Sequence, residues 1–121
     1  MNILVVEDDR DIRAALVELL EDEGVEVVTA AGVGEALGAL RARLPDVILL
    51  DLLLPGVGGR ELLTYLELMP ALSRIPVVVM TASGRLVEGH RLLRKPFRVD
   101  DVLGAIRDAV SPGGGWMPGP A

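Results

Sequence analysis

The 121-residue chain contains no cysteine, few aromatic residues and a single lysine. Without cysteine it can build neither a disulfide framework nor a thiolate metal site. Only Tyr65, Phe97 and Trp116 are aromatic, so the core has to consist of leucine, valine, isoleucine and alanine. Of the 12 lysine and arginine residues, only Lys95 is a lysine. Its presence therefore calls for a local explanation.

Positive charge is also scarce, because 18 acidic residues oppose 12 basic ones and the net charge is −6. A nucleic acid or an anionic membrane surface requires a basic protein face, so we expect neither as a direct partner. No apolar run reaches the roughly 20 residues that span a bilayer. The first strand-like segment leads directly into Glu7-Asp8-Asp9, which is unlike a secretory signal. We expect a cytoplasmic protein.

Short apolar runs alternate with helical patterns along most of the chain. The runs predict five strands, at residues 3–6, 25–30, 47–50, 76–80 and 91–93. Helical stripes follow the first three strands, and another covers residues 99–110. This alternation predicts right-handed βαβ units, and hence a doubly wound parallel α/β sheet with helices on both faces. We expect one domain over residues 1–110 and a Gly/Pro-rich tail or linker over residues 111–121.

Polar residues occur where four of the predicted strands end. Glu7 and Asp8 follow the first strand, Asp51 ends the third, Thr81 ends the fourth and Lys95 follows the fifth. Ligands of parallel α/β sheets bind at the carboxyl ends of the strands, where the strand order reverses. If these four strands are neighbours, the five side chains share one shallow pocket.

Three carboxylates in one pocket require a compensating cation. Two of them about 4 Å apart repel by roughly 4 kcal/mol at an effective dielectric near 20. Because the strand ends offer oxygen ligands without histidine or cysteine, they suit Mg²⁺ better than Zn²⁺. A carboxylate beside Mg²⁺, with a hydroxyl and an ammonium nearby, is equipped to accept a phosphoryl group. A compact ammonium fits such a crowded pocket more easily than a planar guanidinium does, which explains Lys95.

These residues resemble the receiver domain of the two-component response-regulator family between residue 2 and about residue 110. The matching residues are Val5-Val6-Glu7-Asp8-Asp9, Asp51-Leu52-Leu53-Leu54-Pro55, Gly59, Thr81-Ala82 and Lys95-Pro96-Phe97. The resemblance implies a flavodoxin-like fold with the strand order 2-1-3-4-5. It also implies that Asp51 is the phosphoacceptor.

The resemblance further implies the roles of the neighbouring residues. Mg²⁺, for which Mn²⁺ can substitute, would be held by Glu7, Asp8, Asp51 and the backbone carbonyl of Leu53. Thr81 and Lys95 would bind the phosphoryl group. The peptide bond before Pro96 is expected to be cis, which helps to aim the lysine into the pocket.

Besides Glu7, which stands where the family often has aspartate, two features depart from the family pattern. Leu92 stands where receivers usually carry tyrosine or phenylalanine. Only thirteen residues separate Thr81 from Lys95, which is fewer than a helix, a strand and two connections need. We therefore expect the fourth helix of the family fold to be absent or reduced to about one turn.

Two functions remain open at this point. The chain is expected to take a phosphoryl group from a sensor histidine kinase or a histidine phosphotransfer protein, and then to switch the binding of an unknown downstream protein. The alternative is a pseudo-receiver, a protein interaction module that works without phosphorylation. An aspartyl phosphatase would typically carry a second aspartate where this chain has Leu53. We expect no enzyme beyond its own phosphoryl transfer and dephosphorylation, and a monomer or weak dimer.

Three glycines after the second strand resemble a dinucleotide-binding fingerprint. Gly32 and Gly34 have the right spacing, but Gly38 comes one residue late and the motif follows the second strand rather than the first. We interpret these glycines instead as a loosened turn and as close packing of the second helix.

Overall fold

The computed structural model describes residues 1–54, 56, 58–82 and 89–110. These residues form five strands and four α-helices. The strands are β1 (Asn2–Val6), β2 (Glu26–Ala30), β3 (Val47–Asp51), β4 (Val77–Thr81) and β5 (Arg91–Arg94). The helices are α1 (Arg10–Asp22), α2 (Val33–Ala42), α3 (Gly59–Leu68) and α4 (Val99–Val110).

The five strands form one parallel sheet in the order β2-β1-β3-β4-β5, which confirms the predicted fold. In this register Val6 of β1 lies beside Leu50 of β3. Further along the sheet, Asp51 is paired with Met80. The carboxyl ends of β1, β3, β4 and β5 therefore meet at one edge of the sheet.

The sheet separates two apolar cores. Leu4 and Val6 of β1 face the core formed with α2 and α3, whereas Ile3 and Val5 face the core formed with α1 and α4. Every residue of β1, β3 and β4 is buried. Strands covered on both faces have no solvent-facing positions, which explains why their sequences are continuous apolar runs.

The first helix begins at a side-chain cap. Asp9 has an extended backbone conformation, and its carboxylate accepts hydrogen bonds from the backbone N–H groups of Asp11 and Ile12. Such a cap satisfies donors that the first turn leaves unpaired. Beyond the other end of α1, Gly24 has a φ of 77°, the left-handed conformation that favours glycine after a helix. Local residue chemistry therefore accounts for both ends of α1.

The interpretation of the α2 glycines as packing residues is wrong. A Cβ atom added at Gly34 or Gly38 would meet no atom within 4 Å. These positions therefore lie beside open space, and no neighbouring element requires glycine there.

Two expectations concern parts of the chain that the structure does not describe. The shortened fourth helix falls on residues 83–88, and the tail covers residues 111–121. Both stay predictions. Within the described ranges, no helix is long and apolar enough to cross a membrane.

Candidate functional site

Four polar side chains predicted from the sequence converge at the carboxyl edge of the sheet. Glu7 follows β1 directly and is completely buried, and its N–H donates to the carbonyl of Ala30 at 3.0 Å. Asp51 and Thr81, the last residues of β3 and β4, are each 4% exposed. The backbone N–H of Lys95 donates to the carbonyl of Thr81 at 2.8 Å. The sheet thus brings together four residues, each of which ends a strand or directly follows one.

The ammonium group of Lys95 joins two of the carboxylates. Its Nζ donates to Glu7 Oε1 at 2.5 Å and to Asp51 Oδ2 at 3.1 Å. Burial by itself lowers the pKa of Lys95, but the hydrogen bonds to Glu7 and Asp51 outweigh it and raise the pKa above its ordinary value. Lys95 is therefore a charged group fixed between two acids.

Burial is the main cause of the shifted pKa of Glu7. It raises the pKa of this carboxyl to about 7, although the hydrogen bond from Lys95 acts in the opposite direction. The second carboxylate oxygen, Oε2, accepts the N–H of Asp9 at 3.1 Å. One ammonium, that of Lys95, therefore faces the carboxylates of both Glu7 and Asp51.

The carboxylate of Asp51 is held on both oxygens. Oδ1 accepts the backbone N–H of Leu53 at 2.9 Å, while Oδ2 accepts from Lys95. The side chain of Leu53 is largely solvent-exposed. The loop after β3 is therefore anchored to the same carboxylate that ends the strand.

The start of α3 packs directly against the backbone that carries Asp51. Gly59 is buried, and its N–H donates to the carbonyl of Leu52 at 3.2 Å. A Cβ atom at Gly59 would lie 2.3 Å from the carbonyl oxygen of Asp51 and 2.6 Å from the Cα of Leu52. Only glycine allows this close approach.

The three acids form a group that can hold a metal ion. One carboxylate oxygen from each of Glu7, Asp8 and Asp51 lies within 4.8 Å of the others, and Asp8 is exposed to solvent. Carboxylate oxygens without nitrogen or sulfur ligands are the donor set that Mg²⁺ prefers. The residues present therefore fit a hard divalent cation.

The two remaining predicted positions lie on and just after β5. The Lys95–Pro96 peptide bond is cis. Leu92 is half-buried and packs against the core between the sheet, α2 and α3. An aliphatic side chain thus occupies the position where the family usually has an aromatic one.

Comparisons with known proteins agree with this geometry. The sequence model of the protein family described as the response regulator receiver domain matches residues 3–107 of this chain. The chain belongs to the response regulator receiver family.

Among curated proteins, the phosphate regulon transcriptional regulatory protein PhoB of Rhizobium meliloti is 37% identical over 87% of this receiver and 50% of its own length. This receiver thus spans half of that protein. Sporulation initiation phosphotransferase F of Bacillus subtilis is 36% identical over 89% of both chains.

Solved structures give the same assignment. A putative response regulator from Chloroflexus aurantiacus has a TM-score of 0.84 at 28% identity, covering 92% of this chain and 98% of its own. Chemotaxis protein CheY4 of Vibrio cholerae has a TM-score of 0.82 at 27% identity, covering 89% of this chain and 97% of its own. The receiver fold of two-component systems is therefore shared over nearly the whole described chain.

Sequence reasoning missed one residue that contacts the backbone of this receiver's site from outside the pocket. Arg13 lies in α1, and its Nη1 donates to the carbonyl oxygen of Glu7 at 2.9 Å and to that of Asp8 at 3.3 Å. The only signal in the sequence is an arginine one turn inside the helix that follows the acids. Helical spacing does not reveal which backbone groups such a side chain reaches.

An apolar cavity of about 360 Å³ adjoins the lysine. Its lining residues are Ile12, Ala15, Ala82, Lys95, Pro96 and Phe97. The charged pocket of this receiver is therefore bordered by an apolar surface at the first turns of α1 and the segment after β5.

Proposed function

We propose that this receiver accepts a phosphoryl group on Asp51 from a histidine kinase or a histidine phosphotransfer protein, and that the modification changes which protein it binds. The observation that carries the proposal is the geometry of Asp51. Its carboxylate is held by the N–H of Leu53 and the ammonium of Lys95, within reach of the acids Glu7 and Asp8. The site thereby combines a positioned nucleophile, the Asp51 carboxylate, with an ammonium and an N–H group that stabilise negatively charged oxygens.

The transfer exchanges one bond to phosphorus for another. A carboxylate oxygen of Asp51 forms a P–O bond, and the P–N bond of the donor phosphohistidine breaks. The electron pair of that bond stays on the imidazole nitrogen, which takes up a proton. Lys95 already donates to Asp51 Oδ2 at 3.1 Å, and it would donate to a phosphoryl oxygen after the transfer.

A divalent cation completes the charge balance of this scheme. Glu7, Asp8, Asp51 and the backbone carbonyl of Leu53 would hold Mg²⁺, or Mn²⁺ in its place. When bound, the ion supplies neutralisation of the phosphoryl oxygens. The all-oxygen donor set of the three acids supports a cation here.

Thr81 is the proposed hydroxyl donor to the phosphoryl group. It ends β4, one residue after Met80, which is paired with Asp51. The hydroxyl is therefore carried by the strand next to the phosphoacceptor. A shift of Thr81 toward the phosphoryl oxygens would transmit the modification to β4 and to the loop that follows it.

The proposed donor is a protein, and three features bear on it. The apolar cavity beside Lys95 offers a surface for a protein partner next to the reactive carboxylate. The relative from Bacillus subtilis is a phosphotransferase by name. The net charge of −6 gives no support to a nucleic acid partner.

We further propose that this receiver works in the cytoplasm as a monomer or weak dimer. It would catalyse only its own phosphoryl transfer and dephosphorylation.

A pseudo-receiver is the second candidate, and one observation favours it. Leu92 provides no aromatic ring that could change position when Thr81 moves. A receiver of this kind would bind its partner in the same way before and after exposure to a phosphodonor.

Intact-mass measurement after incubation with a small phosphodonor tests the proposal. We expect the mass of one phosphoryl group to be gained in the presence of Mg²⁺ and not in the presence of a chelator. Asp51→Asn should abolish the gain. The matched control Asp100→Asn makes the same chemical change at an exposed position of α4 and should preserve it.

Uptake that persists in Asp51→Asn, or that ignores chelation, would contradict the assignment of the site. A wild-type protein that takes up no phosphoryl group, from the small donor or from phosphorylated histidine proteins, would favour the pseudo-receiver.

A further inference from the structure

We propose that Arg13 is a positioning residue for the divalent cation, acting through the backbone of Glu7 and Asp8. The inference rests on the proposed function, because it assumes that these acids hold a cation. It assigns a role to a side chain that lies outside the pocket and has no contact with the phosphoacceptor among the described hydrogen bonds and ion pairs.

One nitrogen of Arg13 bridges two consecutive carbonyl groups. Nη1 donates to Glu7 O at 2.9 Å and to Asp8 O at 3.3 Å. These carbonyls lie where β1 becomes the loop that leads to α1. Because Asp9 caps α1 and Arg13 lies in its first turns, the bridge ties the loop to a rigid helix.

Asp8 depends on this bridge more than Glu7 does. The Glu7 carboxylate has its own partners, Lys95 and the N–H of Asp9. Asp8 is exposed, and within the described ranges its carboxylate makes no hydrogen bond or ion pair. The backbone therefore fixes only the Cα–Cβ bond from which the Asp8 carboxylate extends, and two hydrogen bonds from Arg13 hold the peptide planes on either side of that bond.

The charge of Arg13 and its hydrogen bonds to the loop have opposite effects on the affinity for the cation. A guanidinium close to a cation site repels the cation, so the loss of its charge alone would tighten cation binding. The loss of the bridge would loosen the carboxylates and weaken binding, as happens when groups that orient metal ligands are removed. The sign of the change therefore separates the two effects.

Titration with Mn²⁺ alone, with free Mn²⁺ followed by electron paramagnetic resonance, measures this sign without any phosphoryl transfer. We expect Arg13→Ala to weaken Mn²⁺ binding about tenfold. Arg10→Ala removes the same charge from an exposed position of the same helix, and it should leave the affinity unchanged or slightly higher. Arg13→Lys should lie between Arg13→Ala and the wild type, because an ammonium can donate to carbonyl groups but lacks the reach of the guanidinium.

Urea unfolding in the presence of a chelator shows whether each variant folds. If Arg13→Ala does not fold, Arg13→Gln provides the test, since glutamine keeps more of the side chain than alanine but ends two bonds short of Nη1 and so removes the bridge.

Binding of Mn²⁺ by a folded Arg13→Ala or Arg13→Gln that is as tight as in the wild type, or tighter, would overturn the positioning role and leave the proposed function intact. A wild-type protein that binds no Mn²⁺ would overturn both the positioning role and the cation site.

Discussion

Gly59→Ala probes how closely the phosphoacceptor is built into the backbone. The added Cβ would lie 2.3 Å from Asp51 O, 2.6 Å from Leu52 Cα and 2.9 Å from Leu52 C. All three atoms belong to the backbone, so no flexible side chain can move aside. Either the start of α3 or the end of β3 has to shift by about 1 Å, because Cβ contacts below 3.0 Å are essentially never found.

The expected loss in the free energy of unfolding follows from this displacement. Insertion of a methyl group into a packed site typically costs 1–3 kcal/mol, and we expect about 2 kcal/mol for Gly59→Ala. The thermal midpoint should fall by roughly 4 °C per kcal/mol for a domain near this size. The shift also moves Asp51 relative to Lys95, and misplacement by about 1 Å can slow a reaction by up to about a hundredfold.

Gly58→Ala is the matched control. A Cβ at this position meets only the carboxylate of Glu61, at 2.8 Å, which is the far end of a flexible side chain. Because glycine is preferred over alanine at a helix N-cap, we allow a cost of up to about 1 kcal/mol. Urea unfolding in a chelator and the rate of phosphoryl uptake by intact mass measure the two effects. If Gly59→Ala matched Gly58→Ala in both, the proposed close approach would be wrong.

Three further predictions concern α2, the lysine and the cation. Gly38→Ala should stabilise the protein by about 0.5–1 kcal/mol in urea, because alanine favours a helix interior and the site is open; a lower midpoint would contradict that openness. Lys95→Arg should slow phosphoryl uptake at least about tenfold, whereas Arg94→Lys, at the exposed neighbouring position, should not. If Lys95→Arg took up the phosphoryl group as fast as the wild type in the mass assay, crowding of the pocket would be ruled out as the reason for lysine at this position. Mg²⁺ should raise stability by about 1.4 kcal/mol per tenfold increase in concentration above its dissociation constant, and thermal unfolding of Asp8→Asn should show little of this gain.

Element types were predictable because they follow from local patterns. Continuous apolar runs predicted buried parallel strands, and the structure confirms them within one residue at every end. The second strand begins at Glu26 rather than Val25, and the fifth extends to Arg94. Backbone pairing with the neighbouring strand decides such end residues, and this pairing leaves no trace in the periodicity of a single segment.

The candidate site was predictable in part because parallel strands end at a common edge. The sequence indicated Glu7, Asp51 and Lys95 from their positions after apolar runs. It did not indicate that Glu7 is completely buried, or that the α2 glycines face open space. Both properties depend on how elements distant in the sequence cover one another.

The sequence by itself determined the alternation of strands and helices and the polar residues at the strand ends, because both follow from the chemistry of neighbouring residues. Only the tertiary structure decided that Lys95 Nζ lies 3.1 Å from Asp51 Oδ2 across 44 positions of sequence. It also decided that Arg13 bridges two carbonyls and that Gly59 contacts the Asp51 backbone. These contacts depend on strand order and helix packing, and a one-dimensional pattern does not contain the distances that such packing sets.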